Sequence, residues 1–350
     1  MIIAPLILAA ALAAGTFGTF EAVDAGGNAG TPAVSTHRFT ARVTTDWPWK
    51  PAGGVKEPYA APVRSLEIPS RASQTRYSYD WPIKPFRQQH VVRAYIDDPR
   101  IPRDLSAHNF HIGVDIGCPA GTPVYAIEAG TARRSHGANA TVVEIYSADR
   151  SLSYWHIRPA VRDWQHVQRH TLVGWTLWNF NHVHLSERDA KGYVNPLRPG
   201  GLGPFADHTI PRTIRVSFRA GAVRHDPQKL SGRFDIVADA VDLDPGVSPQ
   251  PWAVTPSLLR WRILRNGRVV VPWQTGPDFR TRVLTPDQFA SVYAPGTRAN
   301  HRGQPGFFSF YLAHGWSSKS LANGSYRLEV EASDIRGNTG LSLFAITIAN

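Results

Sequence analysis

The 350 residues include one cysteine, fourteen histidines and eleven tryptophans, and the length allows two domains of ordinary size once a leader is set aside. A lone thiol excludes an intrachain disulfide framework and a thiolate-rich structural metal site, so packed cores must supply stability, and nitrogen and oxygen must supply any metal ligands. Lysine and arginine outnumber the acids 38 to 27, a formal charge of +11; this draws a protein toward polyanions, but the charge is scattered and no nucleic-acid recognition signature accompanies it, so nucleic acid is not the expected partner.

Residues 1–25 begin Met1-Ile2-Ile3-Ala4-Pro5-Leu6-Ile7-Leu8 and run through alanines to Ala14, an apolar stretch too short to span a bilayer as a mature helix. It reads as a secretory signal peptide without basic residues in its n-region, which places the mature protein in the periplasm or outside the cell with no transmembrane segment. The competing reading is a retained apolar anchor. With an extracytoplasmic location, anionic cell-wall polymers are the expected partner for the basic charge. Residues 26–80 are rich in Pro, Gly, Ser and Thr, including Trp47-Pro48-Trp49-Lys50-Pro51 and Gly53-Gly54, and read as an extended linker or arm.

From Trp81 the pattern changes to short apolar runs separated by turns: Val91 to Ile96, Val142 to Tyr146, and Ser153 to His156. These are strand signals, and no long amphipathic helix interrupts them. Residues 81–203 are therefore expected to form a mostly β domain. Three short runs within it carry chemistry: His111-Ile112-Gly113-Val114-Asp115, Tyr154-Trp155-His156-Ile157 and His182-Val183-His184. Residues two apart on a strand face the same way, as His182 and His184 would. His111 and Asp115, four apart, share a face on an extended strand as well as on a helix, and the flanking glycines and β-branched residues favour the strand. A catalytic zinc takes three ligands from His, Asp or Glu and leaves a position open. Four imidazoles and a carboxylate suffice for that and leave two imidazoles for proton transfer.

These runs, with Gly121-Thr122-Pro123-Val124-Tyr125-Ala126 and Glu128-Ala129-Gly130-Thr131 between them, stand in an order that resembles the lysostaphin-like, LytM-type zinc endopeptidases over roughly residues 82 to 200. The resemblance implies a small, mainly antiparallel β catalytic domain with a groove, acting on peptide bonds of peptidoglycan. It implies one Zn2+ per chain held by His111, Asp115 and His184, with His182 and His156 as catalytic histidines. One of these would help deprotonate the water and the other would stabilise the oxyanion. The chain departs from the family's pattern at Leu177-Trp178-Asn179-Phe180-Asn181, where relatives carry a glycine-rich turn and a proline. Bulky Trp178 and Phe180 are expected to narrow or reshape the groove, and they support the alternative of a non-catalytic wall-binding adaptor that keeps the fold.

No motif places His136, His166 or His170, which are expected to be ordinary surface or hydrogen-bonded residues. Cys118 is expected to be a small buried thiol, since a nucleophile needs a base and orienting partner of its own.

A second boundary is expected near Pro199-Gly200-Gly201-Leu202-Gly203-Pro204. In residues 204–350, Arg233 to Ala240 and Leu258 to Leu264 alternate polar and apolar positions, and Asn266-Gly267 signals a hairpin turn. The run from Gly324 to Asp334, leading into Arg336-Gly337-Asn338, looks like the late strands of an immunoglobulin-like β-sandwich. That domain offers no catalytic cluster, and its protein partners are unknown.

Overall fold

Antiparallel strands make up most of the computed structural model, which describes residues 58–70, 77–101, 108–137, 140–243, 253–300 and 305–350. The expected signal peptide lies outside these residues. The α-helix among them is the single turn Phe289–Val292, and none is long and apolar enough to cross a membrane. The fold is mainly β, as the short alternating runs imply.

An eight-stranded sheet dominates the first half. Its order is His166–Val167, Gly130–Gly137, Ala140–Tyr146, Arg150–Trp155, His182–Asp189, Val114–Gly117 and Val92–Ala94, with Gly192–Val194 also paired to His182–Asp189. A smaller sheet of Ile157–Pro159, Leu172–Thr176 and Pro123–Tyr125 lies beside it in the chain path. Alternation explains the sheet's two faces: Val114, Ile116, Val183, Leu185 and Tyr154 enter one buried apolar cluster, while Asp115, His182 and His184 occupy the intervening positions. Tyr154 is fully buried and its hydroxyl accepts a hydrogen bond from the Ile127 N–H at 2.8 Å, so the end of its strand is anchored beside the site.

The second half holds two five-stranded sheets. One contains Leu258–Arg265, Arg268–Asp278, Gly324–Ser333 and Thr339–Ile348; the other is centred on Arg233–Leu243, flanked by Arg212–Ala220 and Ser309–Ser317. Phe234, Ile236 and Phe310 from one meet Trp261, Ile263, Val330 and Phe344 from the other in a common core. Outward positions pair across strands, Arg260 opposite Glu331 and Arg262 opposite Glu329, which favours register more than stability. The hairpin at Asn266-Gly267 is a two-residue loop with φ of 51° and 77°, the left-handed pair that such tight turns require.

Within the stretch read as an arm, Pro62–Ile68 forms a strand on the edge of the second half's first sheet, antiparallel to Thr339–Ile348. The chain thus touches the C-terminal region before it builds the first sheet. The two halves also interlock: Val254 and Ile335 belong to the first core, and Phe110 to the second.

Candidate metal centre

Two neighbouring strands bring the central residues together. His184 lies directly across from Asp115, and His182 across from Gly117. Gly113 permits this approach, because a Cβ there would lie 2.2 Å from the Leu185 carbonyl oxygen. His111 is not on the same strand as Asp115: the strand begins at Val114, and His111 reaches the site from the segment before it. His111 Nε2, Asp115 Oδ1 and His184 Nδ1 converge, with separations of 3.0 Å (His111 to Asp115), 2.7 Å (His111 to His184) and 2.9 Å (His184 to Asp115).

The surroundings decide which lone pairs face inward. His111 Nδ1 lies 2.7 Å from the Tyr95 carbonyl oxygen, which only accepts, so Nδ1 carries the proton and Nε2 of the neutral ring presents a lone pair. Burial and the Arg100 charge push His111 down to about 3 against the pull of Asp115, so the ring is neutral at ordinary pH. Burial works against ionising Asp115, yet its carboxyl is held well below the usual range; with His111 neutral and its Nε2 unprotonated, the charge that favours the ionised form is the Arg100 guanidinium. An ionised carboxylate therefore faces a lone pair of neutral His111, and His184 Nδ1 completes the triangle, its other nitrogen 2.7 Å from the Ser186 hydroxyl. Three converging donors of this kind are satisfied by a cation, and a set of two imidazoles and one carboxylate suits zinc. The site fits that ion.

The shell around the triangle is specific. Arg100 Nη2 donates to Asp115 Oδ2 at 3.2 Å. The backbone of His111 is clamped by its neighbours, its N–H donating to Asp98 O and its carbonyl accepting from Asp97 N–H, each at 2.9 Å. Asp97 and Asp98 are held in turn by the second half of the chain: Asp98 Oδ1 accepts from the Thr255 N–H and hydroxyl at 3.0 and 2.9 Å, Asp97 Oδ1 accepts from Leu284 N–H at 3.0 Å, and the Tyr293 hydroxyl donates to Asp97 O at 2.7 Å. Through these bonds the second half helps position His111.

His182 and His156 flank the triangle. His182 Nδ1 donates to the Phe180 carbonyl at 2.8 Å, leaving Nε2 as a lone pair 3.6 Å from Asp115 Oδ1. His156 sits where one strand ends at Trp155 and the next begins at Ile157, with φ of 65°, a conformation that non-glycine residues adopt rarely and that recurs at functional sites. Its ring centroid is 4.9 Å from that of His182, and its Nδ1 is buried with no hydrogen-bond partner among the described residues. Burial, and after it the neighbouring His182 and His184, drive His156 down to about 3, so it is neutral. Phe180 stacks on His156 at 3.8 Å with rings 13° apart, while Trp178 is 81 % exposed. Phe180 therefore supports a site residue, and Trp178 stands at the surface. A cleft of about 260 Å³ opens here, lined by Arg100, His111, Asp115, Trp155, His156 and His184 among others.

His170 lies elsewhere, 3.0 Å from Asp80 Oδ2 and stacked on Phe86, and His166 is exposed; the His136 side chain lies outside the described residues. Cys118 is buried, and burial pushes its thiol up. Sequence reasoning passed over Ser186 and Arg100. Ser186 continues the every-second-residue pattern of His182 and His184, a usable signal, whereas nothing local marks Arg100.

No family model matches the chain, and no curated protein matches it. Solved structures match in part. Helicobacter pylori Csd3 is 18% identical over 38% of this chain and 37% of its own, with a TM-score of 0.30. A zinc-containing peptidase from Vibrio cholerae is 17% identical, covering 37% of this chain and 48% of its own at a TM-score of 0.30. The solution structure of lysostaphin is 12% identical, covering 77% of this chain and 92% of its own, also at 0.30. The superpositions are loose.

Proposed function

We propose that the chain is a zinc-dependent endopeptidase of the lysostaphin-like, LytM-type kind, acting outside the cytoplasm on amide bonds in peptidoglycan peptides. The observation that carries it is the convergence of His111 Nε2, Asp115 Oδ1 and His184 Nδ1 within hydrogen-bonding distance of one another, with neutral His156 in the same cleft and His182 Nε2 3.6 Å from Asp115 Oδ1. The wall substrate rests on the ordered motifs together with the basic charge.

His111, Asp115 and His184 would hold the ion. When bound there, zinc supplies Lewis acidity and brings the pKa of a water to about 7. Tyr95 and Ser186 orient the two imidazoles, and Arg100 keeps Asp115 ionised. His182, with Nδ1 committed to Phe180, offers Nε2, 3.6 Å from Asp115 Oδ1, as proton acceptor and can return the proton to the leaving amine. His156, held neutral and stacked on Phe180, has hydrogen-bonding capacity free for the oxygen of a scissile carbonyl as charge develops on it.

The test is incubation of purified peptidoglycan with the purified protein. On this reading new amino termini appear, a chelator stops their release, and zinc restores it. Protein that pellets with the wall and releases nothing, with or without zinc, would instead make it a wall-binding adaptor. Mass spectrometry of the fragments then identifies the bond.

A further inference from the structure

Three buried acids meet where the two halves of the chain join. Asp207 lies in the connection that follows Phe205, Asp242 near the end of Arg233–Leu243, and Asp334 in the turn after Gly324–Ser333. They are 5, 1 and 3 % exposed, and one carboxylate oxygen from each lies within 4.8 Å of the others.

Local donors occupy part of this set. Asp207 Oδ1 accepts from the Thr209 N–H at 2.9 Å and Asp242 Oδ1 from the Leu243 N–H at 2.8 Å, while the one Thr209 hydroxyl proton is shared among Asp207 Oδ1, the Leu243 carbonyl and Asp242 Oδ1 at 2.6, 2.7 and 3.2 Å. Asp334 Oδ1 accepts from the N–H groups of Arg336 and Asn338 at 2.7 and 2.9 Å, and its Oδ2 from the Asn338 amide at 2.5 Å. Two oxygens remain: Asp207 Oδ2 and Asp242 Oδ2 are both buried and have no hydrogen-bond partner among the described residues. An acceptor left bare at that depth costs about 1–3 kcal/mol or more, so it marks a missing donor or cation.

The neighbouring cation does not fill the gap. Arg336 lies over the Phe205 ring at 4.9 Å, and its Nε and Nη2 are buried without acceptors among the described residues. With all three ionised, three carboxylates against one guanidinium would leave two negative charges, the charge of a divalent ion. Burial raises all three acids, and mutual repulsion adds to it for Asp242 and Asp334, the latter reaching about 7. Oxygen-only donors select a hard cation, and irregular coordination suits calcium better than magnesium, which demands a near-ideal octahedron.

We propose that Asp207, Asp242 and Asp334 form a calcium site that ties the connection between the two halves to the ends of two strands in the second. The site is independent of the zinc centre and stands or falls separately from the peptidase reading. It borders the element that orients His111, since the Tyr95 ring lies 6.4 Å from Phe205 and the Tyr95 carbonyl holds His111 Nδ1.

Equilibrium dialysis of the zinc-loaded full chain against calcium chloride tests it. The expected result is about one calcium per chain with a Kd of about 0.1–1 mM, as for extracellular modules, and a Tm about 2–4 °C higher at about 10 mM calcium. Asp242→Asn should weaken calcium binding at least about tenfold while zinc content and peptide release stay at the parental level. If Asp242→Asn does not accumulate folded, Asp207→Asn is measured the same way. No calcium uptake by the parent protein at about 10 mM overturns the proposal whatever the variants do, and so does uptake unchanged in a folded variant. A Tm that responds to acid and never to calcium would assign shared protons to the cluster in place of the ion.

Discussion

His111, Asp115 and His184 on one side, and Asp207, Asp242 and Asp334 on the other, are both groups of three side chains whose ligand atoms lie within 4.8 Å of one another. The first group mixes two imidazoles with a carboxylate and opens into a cleft lined by His156 and Trp155. The second is all oxygen, buried on every side, with no histidine in it. Donor type selects the ion and openness selects the use: a borderline-soft ion with a free position can meet a substrate, whereas a hard ion enclosed at a junction can only hold chain segments together. The comparison also separates what each site costs. His111, which burial drives neutral, keeps a lone pair that a metal could take, whereas the three acids must take up either protons or a cation.

The largest effects should come from breaking the first group. His111→Ala, Asp115→Ala or His184→Ala should reduce zinc from about one per chain to near none and abolish wall hydrolysis, with calcium uptake untouched; a His111→Ala protein that still digests wall peptides at the parental rate would remove that ligand from the account. Next in size, His182→Ala should retain zinc and lose turnover by about 10²–10⁴-fold, seen as a fall in kcat, if its Nε2 acts as the proposed proton acceptor and not as a ligand. Zinc loss in that variant would place it among the ligands.

Smaller effects probe the link between the halves. Asp98→Ala strands the Tyr95 and Thr255 N–H groups that Asp98 accepts from and should cost about 1–3 kcal/mol in denaturant unfolding, with weaker zinc retention because the segment clamping His111 loosens. Stability lowered with zinc affinity unchanged would show that the clamp does not reach the metal. A pH series sharpens the second group. Acids whose folded pKa is raised contribute stability that is complete below their unfolded value, about 4, and is lost as pH rises through the folded value, about 7 for Asp334. Asp207, Asp242, Asp334, Arg336 and Tyr95 face one another here, so the effect is read as the difference between parent and Asp242→Asn. In calcium-free buffer Asp242→Asn should gain Tm relative to the parent from pH 4 to pH 8, roughly spanning those values, and calcium should erase the gain; a flat difference would contradict the burial argument. Trp178→Ala, at an 81 % exposed position, should change stability by no more than about 0.5 kcal/mol and leave zinc content unchanged.

Much of the fold could be read from local pattern. Leu258–Arg265, Arg233–Leu243 and the Asn266-Gly267 turn announce themselves by alternation and turn chemistry, because each depends on neighbours in sequence. Pro62–Ile68 does not: it is an edge strand with mixed exposure, set in a Pro- and Ser-rich stretch, and its partner Thr339–Ile348 lies at the other end of the chain. The same divide runs through the sites. The histidines and Asp115 stand in short motifs, and the pairing of His182–Asp189 with Val114–Gly117 turns sequence spacing into convergence. Arg100 reaches Asp115 through the short pairing of Pro99–Arg100 with Asn109–Phe110, whereas the clamp from Thr255, Leu284 and Tyr293, and the three acids, are contributed by segments far apart in sequence, so their meeting is a property of topology. Asp334 reads locally as a turn residue, which it also is. Phe180 reads as an obstruction, and stacking turns it into a support for His156.

The contrast between the two groups is tested most directly by a crystal structure of the zinc- and calcium-loaded protein with anomalous data collected on both sides of the zinc edge. The account predicts an edge-dependent peak about 2.0–2.2 Å from His111 Nε2, Asp115 Oδ1 and His184 Nδ1, and none among Asp207, Asp242 and Asp334. Absence of that peak at the histidines, or its appearance among the acids, would contradict it.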